Sequence, residues 1–122
     1  MPYFSKRSEK KLETCHIKLI TICRTVIQDF DFSVLCGYRG EREQNELFNK
    51  GRSQVRFPNS RHNKIPSLAV DIAPYLIDWN DLDRFIELSG RIKETAYLLG
   101  YEIEWGGDWK TFRDYPHYQI VT

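Results

Sequence analysis

The sequence predicts an α+β domain, with a small and mainly antiparallel sheet packed against two to three helices. Two long stretches repeat their apolar residues at the helical period, and four short runs have the length and composition of strands. The order is helix, strand, helix, loop, strand, helix, strand, strand, without the strict alternation that marks a parallel sheet. At 122 residues, a single domain spanning 1–122 is expected, with room for one real core.

Taken in order, Leu12, Cys15, Leu19, Ile22, Cys23, Val26 and Ile27 predict one amphipathic helix from Ser8 to about Phe30, with Ser8 as its N-cap. FSVLC, from Phe32 to Cys36, reads as a strand ended by Gly37. A helix follows from about Glu41 to Lys50, with Gly51 in the C-terminal capping position. Residues 52–67 are polar and aperiodic, and contain Pro58, Asn59, Asn63 and Pro66. A loop this long in a compact domain is more often functional than accidental.

LAVDIA, from Leu68 to Ala73, reads as a buried strand closed by Pro74, and Asp71 is the anomaly within it. A carboxylate in a buried strand must be paired, hydrogen-bonded or metal-bound. Asn80 is expected to cap a long helix whose inner stripe is Leu82, Phe85, Ile86, Ile92, Ala96 and Leu99, and Gly100 stops it. Tyr101 to Trp105 alternates as a strand, Gly106 and Gly107 make a tight loop, and His117 to Val121 forms the last strand.

A net charge of +1 gives no general case for nucleic acid or an anionic membrane. Lysines and arginines do concentrate in KRSEKK and at Arg52, Arg56 and Arg61, where solvated helix ends explain them best. Cys15, Cys23 and Cys36 are odd in number and lack CxxC spacing, so buried reduced thiols and a reducing cytoplasm are expected. The N-terminal MPYFSKRSEKK has no apolar core of a signal peptide, and no segment is long enough to span a bilayer. A monomer made in the cytoplasm is the expectation.

The chemistry concentrates at two of the three histidines. His62 has Asp71 nine residues on, and His117 has Asp114 three residues before it. Two histidines and a carboxylate, with a second carboxylate outside the first shell, are what a catalytic zinc site needs. The spacing is not that of HExxH, so a loop and two strands would have to supply the ligands. His16 reads as an ordinary polar histidine.

These motifs resemble the zinc peptidases that include VanY-like D-alanyl-D-alanine carboxypeptidases and the phage L-alanyl-D-glutamate endopeptidases. The family pattern S-x-H, spacer, A-x-D stands here as Ser60-Arg61-His62 and Ala69-Val70-Asp71, and the later carboxylate–histidine pair as Asp114-Tyr115-Pro116-His117. GYRGEREQNELFNKG, the aromatic GGDW loop and APYLIDWNDLDRF extend the likeness from about residue 36 to the end, the last of them toward the phage branch. One departure stands out. The spacer NKIPSL is two residues longer than usual and lacks the family's glycine, so the extra residues must bulge from the loop.

The resemblance implies a Zn2+ site at the sheet edge held by His62, Asp71 and His117, with Asp114 as general base and Arg39 as oxyanion stabiliser or carboxylate clamp. Ser60, Trp109 and Tyr115 would contact substrate or orient a ligand. It implies hydrolysis of peptidoglycan stem peptides, as in a phage endolysin that cleaves L-Ala–D-Glu bonds after release through a separate pore. D-Ala–D-Ala carboxypeptidase activity is the alternative within the family. From other classes stand a glycan-cleaving lysin using carboxylates among Glu102, Glu104 and Asp108, and a non-catalytic metal-stabilised wall-binding domain. Asp108 is the rival base, although a turn explains it equally well. Arg39 could instead pair with Glu41 or Glu43 on the surface. Residues three apart in an extended segment face opposite ways, so Asp114 can join His117 only if Pro116 breaks the strand and a turn folds back.

Overall fold

The computed structural model describes residues 2–121. The helices are α1 (Lys6–Leu12), α2 (Ile17–Val26), α3 (Glu41–Asn49) and α4 (Leu82–Leu99), and the strands are β1 (Phe32–Cys36), β2 (Ala69–Pro74), β3 (Ile103–Trp105) and β4 (His117–Ile120). Short 3-10 turns occupy Arg61–Asn63 and Gly106–Asp108. The strands form one antiparallel sheet in the order β1-β2-β4-β3, as the α+β expectation requires.

The core lies between the sheet and the helices. Val34, Val70, Ile72, Tyr118 and Ile120 from the strands meet Leu12, Leu19, Ile22, Cys23 and Val26 from α1 and α2, and Leu88, Ile92 and Ala96 from α4. The expected stripe of α4 is rotated. Phe85, Leu88, Ser89, Ile92 and Ala96 are buried, whereas Leu82, Ile86 and Leu99 are exposed, because residues 85, 88, 92 and 96 share one face at helical spacing. Gly100, at φ 76°, closes α4 in the left-handed conformation that suits glycine. Its N-cap is Asp81 rather than Asn80.

The single N-terminal helix of the sequence reading is two helices. The break at 13–16 is recruited by the chain leading into β2: the His16 amide donates to the Ser67 carbonyl at 2.8 Å, and the Ser67 amide to the Thr14 carbonyl at 2.9 Å. The His16 imidazole then caps α2 by accepting from the Lys18 amide at 3.1 Å. Ser5, not Ser8, caps α1. Ser8 is buried and its hydroxyl accepts from the Val34 amide at 3.0 Å, tying α1 to β1. Periodicity carries through such a break because both helices keep their apolar faces on one core.

β1 ends against this N-terminal layer. A Cβ at Gly37 would overlap the Lys11 carbonyl and the Thr14 hydroxyl, so only glycine lets the strand approach this closely. The Tyr38 amide donates to that hydroxyl at 2.8 Å, and the chain turns toward α3.

Candidate metal centre

Strand register brings the first part of the site together. Asp71 on β2 lies directly opposite His117 on β4 and is the register partner of Cys36 on β1. Val70 and Ile72 point into the core, and alternation turns Asp71 to the other face of the sheet. Because β2 and β4 are the inner strands, the cluster spans the middle of the sheet and not its edge, correcting the sequence expectation. The buried-strand carboxylate has the partners that its position demanded.

His62 comes from the long loop. Ser60 caps the Arg61–Asn63 turn, its hydroxyl accepting from the His62 amide at 3.1 Å, while the Asn63 side chain accepts from the Ser60 amide at 3.0 Å. The lengthened spacer closes behind this turn, where the Leu68 amide donates to the Arg61 carbonyl at 3.1 Å. Lys64, Ile65 and Pro66 are pushed into solvent. The additional residues therefore bulge outward without displacing His62, which is 2% exposed.

The hydrogen bonds assign both imidazole tautomers. His62 Nδ1 lies 2.7 Å from the Gly37 carbonyl oxygen, which can only accept, so Nδ1 carries the proton. Its Nε2 then faces Asp71 Oδ1 at 3.1 Å, paired with that carboxylate while protonated and able to offer a lone pair to a metal once the proton leaves. On the other side, Gln119 donates through its amide nitrogen to Glu104 at 3.2 Å, which turns its amide oxygen to His117 Nε2 at 2.8 Å. His117 Nε2 is therefore protonated, and its Nδ1 faces the same Asp71 Oδ1 at 3.1 Å and Asp114 Oδ2 at 4.0 Å. Asp71 Oδ1 thus joins one ring nitrogen from each histidine, and each ring is held from behind by a partner on its far nitrogen. This donor set fits a zinc ion, including the outer partners that orient ligating histidines.

Electrostatics agree with a place built for a cation. Burial disfavours the His62 imidazolium, but the charge and hydrogen bond of Asp71 outweigh it and hold the pKa up, at about 10. Burial works to raise Asp71, yet His62 and His117 overcome it and keep that carboxyl well below the ordinary range. Two overlapping groups bring their ligand atoms within 4.8 Å of one another: Asp71, Asp114 and His117, and Cys36, His62 and Asp71. Cys36 is thus half-buried beside the cluster and is not the buried thiol that the sequence suggested.

Asp114 reaches the site on a turn. Its amide donates to the Gly106 carbonyl at 3.0 Å, and its own carbonyl accepts from the His117 amide at 3.1 Å. A Cβ at Gly106 would overlap the Asp114 carbonyl, so this glycine is a steric requirement of the turn. The Asp114 pKa is raised by burial and then by the charge of Asp71, partly offset by His117, His62 and Arg39. Asp108, the rival base, is exposed and ion-paired to Lys93 at 2.6 Å, outside the cleft. Glu104 is engaged by Gln119, and Glu102, Glu104 and Asp108 line a separate, smaller pocket away from the histidine–aspartate cluster.

Arg39 is almost buried. It donates to Gln44 Oε1 at 3.1 Å and to Asp71 Oδ2 at 3.5 Å, whereas Glu43 is farther away at 3.8 Å. The surface-pair alternative for Arg39 is therefore secondary to its contact with the cluster. Gln44, fully buried on α3, anchors it by donating to Ser53 and to the Val55 carbonyl, both at 2.8 Å.

The cluster forms one wall of a cleft of about 680 Å³, also lined by Ser60, Trp109 and residues of the 52–61 loop. The Trp109 ring lies 5.2 Å from the His117 ring. Tyr115 does not line the cleft: it packs edge-on against Trp105, and its carbonyl accepts from the indole nitrogen at 2.7 Å. Expected as a substrate contact, it is a packing residue, because the residue between Asp114 and Pro116 turns inward. The sequence reading singles out neither Gln119 nor Gln44, and it offers Glu104 only as a candidate glycan-cleaving carboxylate, not as the support of Gln119. Gln119 stands two residues from His117 on one strand face, so alternation was the available signal.

The sequence model of the phage L-alanyl-D-glutamate peptidase family matches residues 1–120. The L-alanyl-D-glutamate peptidase of Escherichia phage T5 is 32% identical over 117 residues, covering 92% of this chain and 85% of the relative. The peptidoglycan L-alanyl-D-glutamate endopeptidase CwlK of Bacillus subtilis (strain 168) is 34% identical over an alignment of 106 residues, with 75% of this chain and 61% of CwlK covered. Among solved structures, the L-Ala D-Glu endopeptidase ChiX of Serratia marcescens superposes with a TM-score of 0.84 at 30% identity, covering 98% of this chain and 90% of ChiX. With its matched motifs gathered into one cleft, this chain belongs to the phage L-alanyl-D-glutamate peptidase family.

Proposed function

We propose that the protein is a zinc-dependent endopeptidase that cleaves the L-Ala–D-Glu bond of peptidoglycan stem peptides. The observation that carries this reading is that His62 Nε2 and His117 Nδ1 both meet one Asp71 carboxylate oxygen, beside Asp114, in the cleft. His62 through Nε2, His117 through Nδ1 and Asp71 through its carboxylate would hold the metal. Zinc, when bound, supplies a Lewis acid and acidifies water toward a pKa of about 7.

The chain's own residues do the rest. Asp114, with its pKa raised from its ordinary value by burial and by the charge of Asp71, takes a proton from the attacking water at its carboxylate and passes it to the leaving amine nitrogen. Arg39 braces Asp71 from the side away from the histidines and presents a planar donor group to the cleft for the developing oxyanion. Ser60 holds His62 in place through the turn that it caps. Trp109 walls the site beside His117 and excludes water there. A phage endolysin role, with release to the wall by a separate pore, is part of this proposal. Among the described residues, no helix is long and apolar enough to cross a membrane.

Metal analysis and muropeptide digestion, with and without chelator, test it. One zinc per chain is expected, with products ending in L-Ala and beginning with D-Glu, and no cleavage after chelation. Release of terminal D-Ala alone would replace the endopeptidase reading with a carboxypeptidase. New reducing ends formed in chelator would overturn the metal reading.

A further inference from the structure

The chain as a whole is nearly neutral, at +1, yet four arginines and only two carboxylates line the cleft. Arg39 is bonded to Asp71 and Gln44 and already has its place at the cluster, facing the reacting oxygen. Arg113 is differently placed. It immediately precedes Asp114, and its Nε donates to the Trp109 carbonyl at 3.1 Å, its only side-chain bond among the described residues. The loop carrying it is pinned at both ends by one acceptor, because the Gly106 carbonyl receives the Trp109 amide at 3.2 Å and the Asp114 amide at 3.0 Å. Between them Phe112, itself exposed, takes a left-handed φ of 52°, which turns the chain sharply just before Arg113. Arg113 is thus presented from a pinned loop, with the outer part of its guanidinium available to the cleft. Arg52 enters the same cleft from the other loop.

Resting on the L-Ala–D-Glu reading, we propose that Arg113, assisted by Arg52, is a carboxylate subsite that recognises the free carboxylate of the D-Glu residue supplying the leaving amine. D-Glu has two carboxyl groups, and in a stem peptide only one continues the chain. The other stays ionised a few bonds from the scissile nitrogen. Asp114 must reach that nitrogen to deliver its proton, so the adjacent Arg113 guanidinium is near the free carboxylate of the same residue. A guanidinium fork suits a carboxylate and loses its charged acceptor when the group is a carboxamide. The cleft therefore selects unamidated D-Glu stems over those in which this group is amidated.

The test uses the zinc-loaded protein and two synthetic peptides, L-Ala-γ-D-Glu-L-Lys with a free α-carboxylate and its α-carboxamide counterpart. The natural sequence should cleave the acid with a kcat/KM at least about tenfold higher, the scale of one lost charge-assisted hydrogen bond. Arg113→Gln should lose that advantage, its acid-to-amide ratio of kcat/KM falling toward one, at unchanged zinc content. Arg52→Gln should erode the same advantage in part. Equal cleavage of both peptides by the natural sequence, or a full preference kept in both variants, overturns the subsite. If neither peptide is cut while terminal D-Ala is released from a longer stem, the endopeptidase reading itself has failed and the subsite falls with it.

Discussion

Asp114 and Gln119 stand on either side of His117 and do opposite kinds of work. Asp114 is raised in pKa and touches no ligand closely, as suits a base, so Asp114→Asn should keep zinc and fold while kcat falls by about 10² to 10⁴. Parallel metal analysis and kinetics check this, and loss of zinc would recast Asp114 as a ligand. Gln119 fixes the His117 tautomer from behind, with Glu104 fixing Gln119 in turn. Gln119→Leu should weaken zinc about 10- to 100-fold in a chelator competition titration, with little change in the fold. Unchanged affinity would show that the tautomer needs no such support. The His62–Asp71 pair also predicts a pH profile for the metal-free protein. His62 is raised from its ordinary 6.5 to about 10, so its contribution is full below 6.5 and is lost as pH rises through 10. Asp71 is lowered, so its contribution is present above 3.8 and is lost as pH falls through its folded value. Melting temperatures in chelator should peak between about pH 4 and 6.5 and fall toward pH 10; a flat profile from pH 6 to 10 would contradict the pairing.

At the level of elements, the site is assembled from pieces whose local reasons differ. Two inner strands supply Asp71 and His117 by register, a capped turn supplies His62, and a glycine-dependent turn supplies Asp114. The last is the most brittle. A side chain at Gly106 must push the Asp114 backbone away, so Gly106→Ala should cut turnover sharply while zinc content is retained, since His62, Asp71 and His117 lie on other elements. Assay of zinc and kcat on one preparation tests this, and an unimpaired enzyme would mean that the turn can yield. Element types were readable from the sequence because periods of 3.6 and 2 follow from backbone geometry. The break at 13–16 was not, because the partner that stabilises it, Ser67, is remote in sequence.

For the whole molecule, the proposed ligand set, drawn from a loop and two strands, would make metal binding part of folding. Zinc at a hundredfold excess over its Kd adds about 2.7 kcal/mol, which should raise the melting temperature by several degrees over the chelated protein. Calorimetry with and without chelator measures it, and equal melting temperatures would separate the metal from the fold.

The α+β class was legible in the sequence, and so was the gathering of His62, Asp71, His117, Asp114 and Arg39 in one cleft. Local patterning reports which face is buried, and a carboxylate in a buried strand has few reasons to be there. Other features belonged to tertiary structure alone. They include the central rather than edge position of the cluster, the inward turn of Tyr115, the pairing of Asp108 with Lys93, and the hydrogen bonds from Gly37 and Gln119 that set the two tautomers. Each depends on which strand lies beside which and on where a loop returns. Contacts between residues distant along the chain set those outcomes, and no local period encodes them.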